Sequence, residues 1–250
     1  MRNWAAAIII IPLAFSALRA EPQKNISAYT VGMVYVKPGQ FIMGSDESFS
    51  FEGPKRVEFT RGFYIDIYEV SNAEYKIFID ATGKEPPAHW NKGNYPAGAG
   101  NKPVTMVSYY EALAFAKWAG KRLPTEIEWE KAARGTSARI FPWGNEWKSG
   151  AANIRPLIGF SRLKNAGSLP EGRSPYGAMD MAGNVWEWTT VWFEPYPGSL
   201  DINPSYGMKY KVIRGGSYRS TRSMTHTFTR EVFEPALSDE DIGFRCVKDY

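Results

Sequence analysis

Residues 121–135 read KRLPTEIEWEKAARG, and residues 183–188 read GNVWEW; these two stretches decide the fold. In the first, Thr125 stands three positions before Glu128, so its hydroxyl can accept from the third helical N–H while the glutamate reaches back to the cap N–H. Gly135 then supplies the left-handed residue with which a helix commonly ends. The same start recurs upstream as Ser71-x-x-Glu74, closed by Gly83, and as Ser108-x-x-Glu111, closed by Gly120. The spacing therefore predicts three short helices. Tyr75, Phe78 and Ile79, then Ala112, Phe115, Ala116 and Ala119, recur at helical spacing and read as inward faces.

Outward from the helices the pattern changes. Residues 33–44 (MVYVKPGQFIMG) alternate and bend at Pro38-Gly39, which predicts a hairpin-like pair of strands, and residues 57–68 (VEFTRGFYIDIY) are again β-rich. Beyond Arg134 periodicity fades into Gly, Pro, Asn and Trp until a β-like run from Val212 enters Arg214-Gly215-Gly216-Ser217-Tyr218. Eight of the nine tryptophans lie between Trp90 and Trp192, so large aromatic side chains are expected to support that irregular stretch, with bound ions as a second means. No internal repeat or low-complexity linker divides the chain, which predicts one mature domain over 21–250.

Composition sets further bounds. With 250 residues, 44% hydrophobic and 15% aromatic, the chain can bury a real core, which excludes disorder as its main state. Its charges are scattered and sum to +4, so nucleic acid is not an expected partner. One cysteine, Cys246, excludes an intramolecular disulfide and a multi-thiolate metal site, and two histidines, His89 and His226, are too few for a His-rich iron or zinc centre. Residues 1–20 read as a signal peptide: Arg2, an apolar stretch from Trp4 to Ala17, and Leu18-Arg19-Ala20 as the cleavage site. Pro12 and the short apolar length argue against a membrane-spanning anchor, for which roughly 20 apolar residues are needed. The expected location is periplasmic or otherwise extracytoplasmic. Asn25-Ile26-Ser27 is a glycosylation sequon in the leader that follows.

Taken in order, MVYVKPGQFIMGS (33–45), FYIDIYEVSNAEYKIFIDATG (63–83), PVTMVSYYEALAFAKWAGKRLPTEIEWEKAARG (103–135), FPWGN (141–145), MAGNVWEW (181–188), RGGS (214–217) and GFRC (243–246) resemble the formylglycine-generating enzyme family, the sulfatase-modifying factors. The resemblance implies an α+β, distorted C-type-lectin-like fold with little regular secondary structure. Active members hold copper on two cysteines just after the GGS segment and oxidise a substrate cysteine. Here the matching positions are Ser220 and Thr225, and hydroxyls are hard, weak ligands that stay protonated at neutral pH. Copper and formylglycine-generating oxidase activity are therefore not expected. Cys246 falls on the GFRC motif, where the resemblance implies a thiol packed inside the sheet. The family's sulfoxide-forming iron branch needs a histidine cluster that this chain does not carry.

A run that suits a hard cation is kept. The resemblance implies a structural calcium held by the Asp180 side chain, the Gly183 and Val185 carbonyls and the Glu187 carboxylate, against the alternative of a metal-free hydrogen-bond network. The family's other calcium site begins at a pair matching Asn153-Ile154. Residues 155–179 carry Arg155, Arg162, Lys164 and Arg173 against Glu171 alone, so that site is expected to be absent. A Ser220, His226 and Asp239 triad has no supporting motif. Arg214, Arg219, Arg222 and Arg230 read either as an anion-recognising cluster or as salt bridges with Glu231, Glu234 and Asp239. Asp239-Glu240-Asp241 reads as a solvated acidic loop.

The expected function is an exported, non-catalytic binding or regulatory module braced by calcium. By analogy with TagR-like periplasmic accessory proteins of type VI secretion, the expected partner is the periplasmic part of a membrane kinase or a secretion component in a threonine-phosphorylation pathway. The alternative is an exported enzyme with copper-independent chemistry, such as siderophore maturation, using a carboxylate or Tyr218 near Ser220.

Overall fold

All three helix starts form as the sequence predicts. In the computed structural model, which describes Met1 and residues 31–250, α1 (Asn72–Thr82), α2 (Tyr109–Trp118) and α3 (Glu126–Arg134) each open with a complete capping box. Ser71, Ser108 and Thr125 accept from the backbone of Glu74, Glu111 and Glu128, whose carboxylates return to the cap N–H groups. Apart from Met1, the expected signal peptide lies outside the described residues, as does the Asn25 sequon.

The inward faces meet around one aromatic ring of the C-terminal GFRC motif. Tyr75 of α1 stacks on Phe115 of α2 with ring centroids 5.6 Å apart, and Phe244 stands edge-on to both at 6.3 and 5.4 Å. Cys246 is fully buried in the same cluster, with Trp186 and Trp188 of the GNVWEW motif. Trp188 is sealed from solvent because its indole N–H reaches the Val107 carbonyl at 3.0 Å, which removes the cost of burying that donor.

Three small sheets surround this core. β1 (Met33–Val36), β4 (Phe63–Asp66) and β9 (Val247–Asp249) form one, with β4 in the middle; β2 (Gly39–Met43) and β3 (Arg56–Thr60) form a second. The third runs in the order β7 (Arg230–Phe233), β6 (Gly207–Arg214), β5 (Trp186–Phe193), β8 (Ile242–Gly243), antiparallel except for β8 beside β5. The residues from Gly32 to Tyr250 make one unit, an α+β fold with much of its length in turns.

The predicted hairpin over residues 33–44 does not form. β1 pairs with β4 and β2 with β3, so consecutive strands enter different sheets. A two-residue hairpin loop needs a left-handed residue at its first or both positions, and proline, fixed near φ −65°, cannot provide one at position 38. The chain bends at Pro38 instead, burying Val36 in one cluster and Phe41 and Met43 in another.

The arginine partners expected from sequence are also corrected. Arg219 does pair with Asp239. Arg214 and Arg230, however, turn away from Glu231 and Glu234 and into the interior, onto α3. Arg214 donates to Glu126 at 2.7 Å and Glu130 at 2.6 Å, and Arg230 reaches Glu126 at 2.7 Å. Arg134 adds a second cation on Glu130, so the two buried carboxylates are bridged by three guanidinium groups. A carboxylate enclosed by several donors is the arrangement that makes buried charge tolerable.

Candidate functional site

At the end of β6 the chain turns through Gly215 and Gly216, both left-handed at φ 98° and 76°. A Cβ on Gly216 would lie 2.6 Å from Thr225 Cγ2 and 2.9 Å from the Met224 carbonyl, so only glycine lets this turn lie against the 3-10 segment Arg222–Thr225. That packing places the two positions matched to the family's copper cysteines. Ser220 is buried, its hydroxyl accepting from the Ser217 N–H at 2.9 Å. Thr225 is fully buried and donates to the Arg222 carbonyl at 2.8 Å. Both hydroxyls are thus absorbed by the turn itself, and neither offers the soft, ionised sulfur a copper(I) site requires. Burial pushes the Cys246 thiol well above its ordinary pKa, so it stays protonated, and it sits in the core beside Asp66.

Beside Ser220 the surface opens into two adjoining clefts that share Leu163 and Tyr218. The first, about 430 Å³, is lined by Arg155, Arg162 and Arg219. The second, about 310 Å³, is lined by Asn72, His89, Thr105 and Glu240. Asn72 is buried, with Nδ2 held by the Ala99 carbonyl at 2.9 Å and Oδ1 unpartnered. Burial lowers the His89 pKa and raises that of Tyr218, so at neutral pH the first is an uncharged imidazole and the second a phenol. Desolvation also raises the pKa of Asp241, whose carboxylate accepts from Ser217 Oγ at 2.6 Å. Asp241 is only partly exposed, so the acidic run is not the uniformly solvated loop its sequence implies. The imagined triad does not assemble: Ser220 serves Ser217, His226 packs on Phe141 and Phe228, and Asp239 pairs with Arg219.

The Asp180 to Glu187 run folds into a second buried cluster. Asp180 and Asn184 are left-handed, at φ 56° and 65°. Asp180 accepts from the Gly167 N–H at 2.5 Å and lies near enough to Glu69, a residue the sequence reading did not single out, for their charges to repel. Glu69 is held by Asn184 Nδ2 at 2.9 Å through Oε1, while its buried Oε2 has no hydrogen-bond donor. Burial, reinforced by the Asp180 charge, pushes the Glu69 pKa well above the usual carboxylate range; burial raises Asp180 as well. Glu187 is gripped by Arg245 on both oxygens and by Trp129 Nε1 at 2.8 Å on Oε2, which leaves Oε1 with a spare lone pair.

The donors are oxygens of the kind a hard cation takes, but among the described residues no three acidic, histidine or cysteine side chains stand together as a metal-holding group. Three carboxylates share one guanidinium, leaving the cluster short of two positive charges when all three are ionised. The Gly183 and Val185 carbonyls accept no hydrogen bond among the described residues, and the carboxylates alone do not close a cage there, so those carbonyls would be needed to complete a shell. At the family's other calcium position, expected from the sequence to be absent here, Asn153 Oδ1 accepts from Ser161 Oγ at 2.6 Å and Ile154 borders a separate cleft.

Residues 18–250 match the sulfatase-modifying factor enzyme 1-like domain, and the chain belongs to that family. It is 31% identical to the formylglycine-generating enzyme of Mus musculus, across 87% of this chain and 75% of that protein. It is 30% identical to the serine/threonine-protein kinase pkn1 of Chlamydia caviae, across 86% of this chain but only 38% of the kinase. Among solved structures it is similar to PvdO from Pseudomonas aeruginosa, with a TM-score of 0.73 and 26% identity over 87% of this chain and 94% of that one.

Proposed function

We propose that this chain is an exported, non-catalytic member of the formylglycine-generating enzyme family that works as a binding module, braced by calcium. The observation that carries the reading is the fate of the Ser220 and Thr225 hydroxyls, both buried and both tied into the turn that would otherwise present copper. What remains is the pair of clefts around Tyr218, about 430 and 310 Å³ and mostly apolar in lining, which peptide side chains could enter. The calcium would be held by Asp180, Glu69, the Gly183 and Val185 carbonyls and Glu187, and would supply the missing positive charge without an open position for chemistry. The likeness to part of a serine/threonine kinase supports a kinase-linked setting, with the periplasmic part of a membrane kinase or a type VI secretion component as partner.

The test pairs two measurements on the purified protein. A sulfatase-type cysteine peptide supplied with copper and oxygen should show no mass change, whereas formylglycine formation would overturn the reading. Titration of the extracytoplasmic part of a membrane kinase should give saturable binding that a Tyr218→Ala, Arg162→Ala variant weakens at least ten-fold; no binding would remove the kinase assignment.

A second reading has its own support. Ser220, Ser217 and the raised Asp241 carboxyl form a continuous hydrogen-bonded series beside the clefts, which suits an exported enzyme with copper-independent acid–base chemistry such as siderophore maturation. Turnover of a small molecule lost in Asp241→Asn, with the fold intact, would favour it.

A further inference from the structure

The segment that walls the first cleft is fixed at its base and free at its tip. Asn153, buried, donates from Nδ2 to the Arg162 carbonyl and to Asn184 Oδ1, both at 3.0 Å, and accepts from Ser161. The Arg155 N–H binds the Ser220 carbonyl at 3.0 Å, and the Lys164 N–H binds Asn184 Oδ1 at 3.2 Å. Between these anchors Leu157, Ile158 and Phe160 stand almost wholly in solvent, with relative exposures of 105, 93 and 97%. Single exposed apolar side chains are ordinary, but three large ones on one tip, rimmed by charge, mark a contact surface.

The rim has one sign. Residues 147–170 contain no Asp or Glu, and Arg155, Arg162 and Lys164 flank the apolar tip. Among the described residues none of the three forms an ion pair, although Arg219 close by does. The tip stands between two clefts, one lined by Phe160 and Arg162 and another of about 610 Å³ lined by Leu157 and Gly159. A narrow apolar projection with a cationic collar is far smaller than the roughly 20–30 residues each side that a stable protein interface uses. It does match a bilayer surface, where apolar side chains enter the headgroup boundary and lysine or arginine meets anionic lipid.

We infer that residues 155–164 are a membrane-docking loop, in which Leu157, Ile158 and Phe160 enter the outer layer of an anionic bilayer while Arg155, Arg162 and Lys164 bind phosphate headgroups. Arg155, Phe160 and Arg162 also line the first cleft, so a membrane and a cleft-bound peptide would share those side chains, and a label on Ile158, which does not line that cleft, tells the two apart.

The test places an environment-sensitive nitrobenzoxadiazole label on Ile158→Cys in the full chain, where buried Cys246 leaves the new thiol as the accessible one. Because the label reports only its own surroundings, membrane binding by any other segment does not mimic the signal. Vesicles of phosphatidylcholine and phosphatidylglycerol should give a blue shift and a rise in emission, and vesicles of phosphatidylcholine alone should not. Adding R155Q, R162Q and K164Q should raise the lipid concentration for half response about 100-fold, at about five-fold per cation. L157S with F160S should weaken the response while the cations remain. No response to the anionic vesicles overturns the inference. So does an equal response to inorganic phosphate, or a response to polyglutamate without one to vesicles, which would make the loop a site for free anions or for an acidic protein. Unchanged melting temperatures across the variants would show that each still folds.

Discussion

Arg245 holds Glu187 by two equivalent contacts, Nε to Oε2 and Nη2 to Oε1, each 2.7 Å long and fully buried. The pair joins the GNVWEW and GFRC motifs, 58 residues apart, and the same guanidinium reaches the Asp66, Ile67 and Met179 carbonyls. Arg245→Gln would leave Glu187 buried without its counter-charge, so it is expected to cost about 3–5 kcal/mol of stability, read by urea denaturation. A loss under 1 kcal/mol would mean that the pair is replaceable by solvent.

Calcium should raise the melting temperature of the protein and a chelator should lower it, because an ion bound only by the folded state stabilises that state by mass action. Glu69→Gln and Asp180→Asn should each blunt the response. No shift at millimolar calcium would overturn the calcium proposal.

The copper expectation is checked by isothermal titration with copper(I). Wild type and the Ser220→Ala, Thr225→Ala variant should bind equally weakly, since neither hydroxyl is a soft donor. A wild type that binds ten-fold tighter than the variant would place the metal on groups other than thiolates.

Glu126 makes stability depend on acid. Its burial alone would raise its pKa, but Arg230, Arg214 and Tyr196 outweigh that and leave it below its ordinary value of 4.5. For a carboxyl depressed by folding, the stabilisation is fully present above the unfolded pKa and disappears as pH falls through the folded one. Glu126→Gln should therefore cost about 3–5 kcal/mol at neutral pH, and the gap to wild type should narrow below pH 4.5. Denaturation curves at several pH values decide it; a gap that stays constant into acid would mean Glu126 is not the ionised partner.

Gly216→Ala tests the turn that carries Ser220. The added methyl would meet Thr225 and Met224 in a left-handed conformation, so a loss of more than about 1 kcal/mol is expected from thermal unfolding.

What the sequence disclosed and what it withheld separate by distance along the chain. The capping boxes are complete within four residues, so Ser71, Ser108 and Thr125 announce their helices without reference to anything else. Pairing of β1 with β4 depends on residues some thirty positions away, and a local alternation at 33–44 carries no such information. Arg214 meets Glu126 across 88 residues, which is why nearby Glu231 and Glu234 looked like its partners. Glu69 escaped notice for the same reason: it lies in a short linker and gains its meaning only when Asn184, 115 residues later, folds onto it. The hydroxyls at Ser220 and Thr225 were legible as missing thiols, but their absorption into the turn was not, since it depends on how Gly216 packs.

The two asparagines beneath the exposed tip give the molecule a further property. Because Asn153 and Asn184 close residues 154–163 at the neck, the five positions from Pro156 to Phe160 bear none of the core's packing. A laboratory should therefore be able to lengthen, shorten or recolour that tip while the frame beneath keeps its shape. The fold comes with a socket, into which a peptide of foreign origin can be grafted and displayed.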